Sequence, residues 1–201
     1  MVSTKDYEKV EWLVKEFLRV IGEDPEREGL RETPRRVSRM LLDELLIGYR
    51  YDPKEFLKLF EHEEEDYYEA YGDLVIVKDV AVRSLCEHHL LPFFGYAHIA
   101  YIPTKYILGL SKFSRIVNIF SRKLQVQERL TNQIADFIME YVKAKGCLVV
   151  IEAIHTCALL RGVKENLKLI TLSTRGVFSK DQRLRSEALS LMGIGKDLIR
   201  E

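Results

Sequence analysis

The chain has 201 residues, 47% of them apolar, enough for one core-bearing domain with a helical extension. Lys plus Arg (31) equals Asp plus Glu (31), and this neutral balance argues against a nucleic-acid coat or a polybasic membrane binder. No apolar run approaches the ~20 residues of a membrane span, the N-terminal MVSTKDYEKVEW has no signal-peptide core, and three cysteines fit reduced thiols better than a disulfide framework. Together these features predict a cytoplasmic protein that works on neither nucleic acid nor membrane.

Residues 3–22 predict an amphipathic helix. Tyr7, Val10, Leu13, Val14, Phe17 and Ile21 fall at three- and four-residue spacing on one face. Ser3 or Thr4 can cap this helix and Gly22 stops it. Thr33 and Pro34 predict the start of a second helix, with Thr33 as cap and Pro34 at the first helical position. Its stripe is Val37, Met40, Leu41 and Leu45, and Gly48 ends it. Pro53 predicts a short third helix through Phe60. The acidic run EHEEED (61–66) reads as a solvated connection. It divides a helical N-terminal region, 1–70, from a second unit, 71–201.

Beyond residue 73 the texture changes. LVIVKDVAV (74–82) and FGYAHIAYI (94–102) are β-branched and aromatic, and predict strands. Residues 110–123 and 127–145 predict helices, the second with Ile134, Phe137, Ile138 and Tyr141 as its stripe. Residues 147–157 and 167–175 predict two more strands. The order strand, strand, helix, helix, strand, strand predicts an α+β fold: an antiparallel sheet with helices on one face.

SLCEHHLLPFFG (84–95) concentrates a cysteine, a glutamate and two histidines. Cys86 and His89 have the Cys-x-x-His spacing with which a short turn presents two ligands to one metal. A third ligand must come from elsewhere. In an extended strand His155 and Cys157 share a side, which makes Cys157 a candidate. Cys147 shares that parity but lies ~33 Å away along the strand, and reads as a buried small hydrophobe. Cys86, His89 and Cys157 would leave one position of a zinc ion open, the catalytic rather than the closed structural arrangement. His88 and His155 would then be free to move protons. His62 and His98 read as ordinary surface or core residues.

SLCEHH, GLSKFSR (109–115), QVQERLTNQI (125–134) and HTCALLRG (155–162) together resemble GTP cyclohydrolase I, and GEDPEREGLRETPRRV (22–37) resembles that family's N-terminal helical region. The resemblance covers about residues 10–190. It implies a T-fold domain after the helical region, and a homodecamer with active sites between subunits. It implies conversion of GTP and water into formate and 7,8-dihydroneopterin triphosphate, the opening step of folate and tetrahydropterin synthesis. Cys86, His89 and Cys157 would hold Zn2+, and His88 and His155 would be the acid–base pair. Glu128, beside Gln127, would anchor the guanine edge, since a carboxylate accepts from both N1–H and the 2-amino group. Ser111, Lys112, Arg115 and Arg161 would hold the ribose-triphosphate end, joined by Arg36 and Arg39.

Two positions depart from the family pattern. Tyr96 stands where many members have Lys, and Arg185-Ser186-Glu187-Ala188-Leu189 replaces Arg-x-Glu-Phe-Leu. Three other readings compete. A zinc-stabilised assembly protein would need none of His88, His155, Glu128 or the basic set. A nitrile-reducing relative would use a cysteine nucleophile on a deazapurine. Nucleic-acid binding would want an aromatic stacking platform. Metal content and formate release separate the first two from the hydrolase.

Overall fold

The computed structural model describes residues 3–56, 59–61 and 74–194; His62 and residues 62–66 of the acidic run lie outside this set. Helix α1 spans Thr4–Val20. It is capped by Ser3, whose backbone N–H and hydroxyl both donate to Asp6 Oδ2, at 2.8 and 2.9 Å. Gly22 closes the helix with φ +88°, a conformation that favours glycine. The predicted stripe is only partly covered. Tyr7, Val10 and Val14 are half-buried, Leu13, Phe17 and Ile21 are exposed, and Leu18 is the residue enclosed. Within the chain α1 packs on helix α2 (Thr33–Arg39), where the Ser38 hydroxyl donates to Tyr7 O at 3.2 Å.

Pro34 sits in the first turn of α2, but Thr33 is already helical and Glu32 precedes the helix instead. The helix widens into a π turn over Met40–Leu45 and tightens into a 3-10 turn over Ile47–Arg50. Gly48 does more than end it. Its N–H donates to Arg122 O at 2.9 Å, and a Cβ there would lie 2.2 Å from Ile119 O. Of the predicted third helix, Pro53–Phe56 form a 3-10 turn, and residues 57–58 lie outside the described set. Strand β1 (Leu59–Glu61) follows and pairs antiparallel with β4 (Tyr106–Leu108).

The main sheet has five strands in the order β5-β2-β3-β6-β7, from β2 (Val75–Cys86), β3 (Pro92–Ile102), β5 (Leu124–Gln125), β6 (Gly146–His155) and β7 (Lys168–Gly176). All neighbours are antiparallel except β5, which runs parallel to the end of β2. Both strands of the β2–β3 hairpin run longer than their sequence texture predicts. Leu85 and Cys86 gain partners in Leu124 and Gln125. A bulge interrupts β2 between Val77 and Val80, with Asp79 at φ +59°. His98 fills it: Nδ1 accepts from the Asp79 N–H at 3.3 Å, and Nε2 lies 3.2 Å from Glu152 Oε1. This buried histidine is a structural residue, as its local sequence suggests.

Helices α3 (Leu110–Ser121) and α4 (Gln127–Phe137) cover one sheet face. Phe113, Ile116, Val117, Leu130 and Ile134 meet Val82, Phe93, Ile99, Tyr101, Val149 and Ile151 there. The other face is not bare. Two C-terminal helices, α6 (Val177–Lys180) and α7 (Gln182–Met192), set Phe178, Ala188 and Met192 against Ala100, Leu148 and Val150. The expectation of helices on one face therefore needs correcting. Strand residues of both parities are apolar in the upper sheet, so both faces demand a cover.

Candidate active site

Strand β2 delivers Cys86 as its last residue. The chain then reverses over Glu87–Leu90, closed by Leu90 N donating to Cys86 O and Cys86 N donating to Leu91 O, both 2.8 Å. Leu90 takes φ +55° to make the turn. The reversal brings His89 Nδ1 to 3.9 Å from Cys86 Sγ. The glutamate of this motif is a tie. Its carboxylate pairs with Arg129 at the start of α4, and that guanidinium also donates to Gln125 Oε1 and Leu124 O, each at 3.0 Å. The Arg129 hydrogen bond holds the Glu87 carboxyl below the usual glutamate range.

The third donor arrives differently from the strand-parity expectation. β6 stops at His155, and Cys157 lies on the short helical turn α5 (Thr156–Leu159). The Thr156 hydroxyl donates to Pro92 O at 2.6 Å and pins that turn to β3. Cys86 Sγ, a ring nitrogen of His89 and Cys157 Sγ all lie within 4.8 Å of one another. Ligands on one tetrahedral zinc stand about 3.5–4 Å apart, so a small closure would satisfy one ion. Burial and the adjacent Cys86 thiol push the Cys157 thiol upward. A divalent cation reverses that penalty by stabilising both thiolates. Two sulfurs and one imidazole suit zinc, and three donors leave a fourth position for a small ligand.

His88 is largely exposed and stands 3.9 Å from Cys86 Sγ, outside the mutual group of three. His155 is held on two sides. Its ring stacks on Phe93 with centroids 4.4 Å apart and planes 6° from parallel. Its Nε2 lies 2.9 Å from Gln127 Oε1. Burial depresses its pKa, and the negative charge of Glu128 partly offsets this. Glu128 is exposed at the first turn of α4, and Arg161 is exposed just past α5. Gln127 is wholly buried and all its amide atoms have protein partners, so none is open to a ligand.

The basic residues divide. Ser111, Lys112 and Arg115 sit in the first two turns of α3. The last turn of that helix leads into β5 beside Cys86, so Ser111 lies roughly 15 Å along the axis from that end. Arg115 instead lines a hollow of about 300 Å³ with Ile47, Tyr51 and Phe56. Arg39 lines another with Tyr7, Glu8, Glu11 and Asp43, an acidic setting. Arg36 is exposed on α2. Within one chain these residues do not join the metal group. Sequence reasoning missed the roles of Phe93 and Glu87. Phe93 shares the core parity of its strand, and only the pairing of Phe93 with His155 reveals its second use.

The GTP cyclohydrolase I family profile matches residues 10–193. The chain belongs to the GTP cyclohydrolase I family. Proteins named GTP cyclohydrolase 1 from Caldanaerobacter subterraneus and Carboxydothermus hydrogenoformans are 49% and 50% identical, over 93% and 94% of this chain and 97% and 95% of theirs. One from Hyperthermus butylicus is 46% identical over 93% of this chain and 91% of its own. A loose likeness to the apo archaeosine synthase QueF-Like crystal structure covers 51% of this chain at TM-score 0.42 and 16% identity, too distant to fix a fold. Membership places the chain among hydrolases. Among the described residues no helix is long and apolar enough to cross a membrane.

Proposed function

We propose that this cyclohydrolase-family chain is a cytoplasmic zinc enzyme that converts GTP and water into 7,8-dihydroneopterin triphosphate and formate. The observation that carries the zinc assignment is the convergence of Cys86 and His89, at the end of β2 and its turn, with Cys157 of α5 to within 4.8 Å. When bound there, zinc would lower the pKa of a coordinated water toward neutrality and make hydroxide available. In this reading water adds at guanine C8 while a histidine protonates N7, and the imidazole ring opens to a formamide. A second hydrolysis at the same carbon releases formate. The ribose then opens, rearranges and condenses through its carbonyl with the freed amine, releasing one water, so that one water is consumed overall.

His88 and His155 supply the proton transfers. His155 is the better-held of the two, stacked on Phe93 and biased to its neutral form by burial. Glu128 would accept from N1–H and the 2-amino group of guanine. Arg161, from the same chain as the metal group, would meet phosphate. Ser111 and Lys112, at the far end of α3, and Arg115, which lines the hollow with Ile47, Tyr51 and Phe56, would serve the site of a neighbouring copy, with Arg36 and Arg39 as further contacts. That division supports a homo-oligomer, a decamer by family resemblance, with sites between subunits. We keep the division into a helical region (1–70) and a T-fold catalytic domain (71–201), which β1 bridges by pairing with β4.

His88→Ala and His155→Ala test the assignment. Each should lower formate release by about 100-fold or more, and at least one should accumulate the ring-opened formamide. Full activity in both variants would remove the histidines from the mechanism.

A further inference from the structure

We infer that Gln127 is a positioning residue that fixes the proton of neutral His155 on Nε2, leaving Nδ1 as the nitrogen that exchanges a proton with the substrate. The inference rests on the reading of His155 as an acid–base group in GTP hydrolysis. It gives Gln127 a role other than touching guanine.

The neighbours of the Gln127 amide fix which of its ends is nitrogen. One end faces Ile151 O and Leu169 O, each at 3.0 Å. Backbone carbonyls only accept, so the atom facing both must be the NH2 group. The two threonine hydroxyls nearby are compatible with this direction. The Thr131 hydroxyl donates to Gln127 O at 2.7 Å, so its oxygen is free to accept from Thr171 Oγ1, 2.6 Å away. Thr171 Oγ1 can then accept from Gln127 Nε2 at 3.1 Å, sharing one of the two amide hydrogens with a carbonyl. The bonds run in one sense, from the amide through two hydroxyls to the backbone carbonyl of the same residue.

With the amide nitrogen fixed, Oε1 is an acceptor only, and His155 Nε2 at 2.9 Å must carry the hydrogen. A flipped amide would set NH2 against Nε2 and a carbonyl oxygen against two others. That would leave buried polar atoms without partners, at a cost of a few kcal/mol. The residue is 0% exposed, so water cannot relieve a flip. The Phe93 stack blocks rotation of the ring out of its plane. The tautomer of His155 is therefore set by a network anchored in two sheet strands and one helix. Among the described residues Gln127 is the one hydrogen-bond partner of the His155 ring, and Glu128 acts on it only through its charge.

Two measurements test this. The first is 15N magic-angle-spinning NMR of the zinc-loaded protein labelled at histidine, with His155 assigned by its loss in His155→Gln. At a pH where the ring is neutral, His155 should show one tautomer with hydrogen on Nε2. Hydrogen on Nδ1, or a mixture of both forms, would overturn the inference. The second is Gln127→Leu, which keeps volume and removes the acceptor. Its kcat should fall on the order of 10- to 100-fold and its KM for GTP should stay within about two-fold, and the NMR signal should become a tautomer mixture. A KM rise with kcat unchanged would return Gln127 to substrate contact and overturn the inference. If Gln127→Leu does not fold, the wild-type spectrum decides. A wild-type protein that leaves GTP intact would fail the functional reading, while its spectrum would still judge Gln127.

Discussion

Cys147 and Cys157 are both thiols near the same strand, and their surroundings part them. Cys147 has no exposed surface, and desolvation pushes its thiol far above the ordinary range. It should therefore resist a thiol reagent in the native protein and react only after unfolding. Rapid labelling under native conditions, located by peptide mass, would contradict this burial. The Cys-x-x-His pair was legible because turn spacing alone sets ligand geometry. Glu87 was not, because its partner Arg129 is 42 residues away and only the parallel pairing of β5 with β2 brings them together. The buried amide of Gln127 was equally hidden. Helical spacing marks where a side chain points, not which polar atoms await it there.

At the scale of elements, the sequence showed texture better than ends. Strands β2, β3, β6 and β7 lie where β-branched residues cluster, but β6 stops at His155 and hands Cys157 to a helical turn. Leu59 and Phe60 were expected to be helical, yet with Glu61 they pair with β4, a tertiary contact that overrides local preference. Gly48 is a comparable case. Its φ is ordinary, and its importance comes from the backbone at Ile119 and Arg122 that passes against it. Gly48→Ala should destabilise the protein by roughly 2 kcal/mol or more, since backbone and not a side chain must move. A melting temperature equal to wild type would show that the crossing is looser than described.

Helix α1 carries a pH dependence of its own. Hydrogen bonds from the Ser3 N–H and hydroxyl lower the Asp6 carboxyl below its usual range. A carboxylate whose folded pKa is depressed stabilises the fold above its unfolded value, and this is lost as pH falls through the folded value. Asp6→Asn should therefore reduce stability at neutral pH, and the difference from wild type should shrink below about pH 4. Denaturant titrations at neutral and acid pH check this; a gap that widens in acid would reverse the sign.

At the scale of the molecule, two observations point outward from the single chain. Of the phosphate-binding candidates of α3, Ser111 and Lys112 sit at the end of the helix opposite β5, and Arg115 lines the hollow with Ile47, Tyr51 and Phe56. The outer side of α1 leaves Trp12, Leu13, Phe17, Val20 and Ile21 exposed, a stripe that a neighbouring copy would cover. A shared site predicts complementation. Arg115→Ala and Cys157→Ala should each be inactive alone. Unfolded together and reassembled in equal amounts, they should regain activity in about a quarter of their sites. No recovery from mixed assemblies of confirmed composition would place the whole site in one chain.

The most direct test of the account is to incubate the zinc-loaded protein with GTP, follow dihydroneopterin triphosphate by absorbance and fluorescence, and measure formate in parallel. The account predicts product and formate in equal amounts, abolished by chelation and restored by zinc. One tightly bound zinc per chain with no turnover of GTP would contradict it.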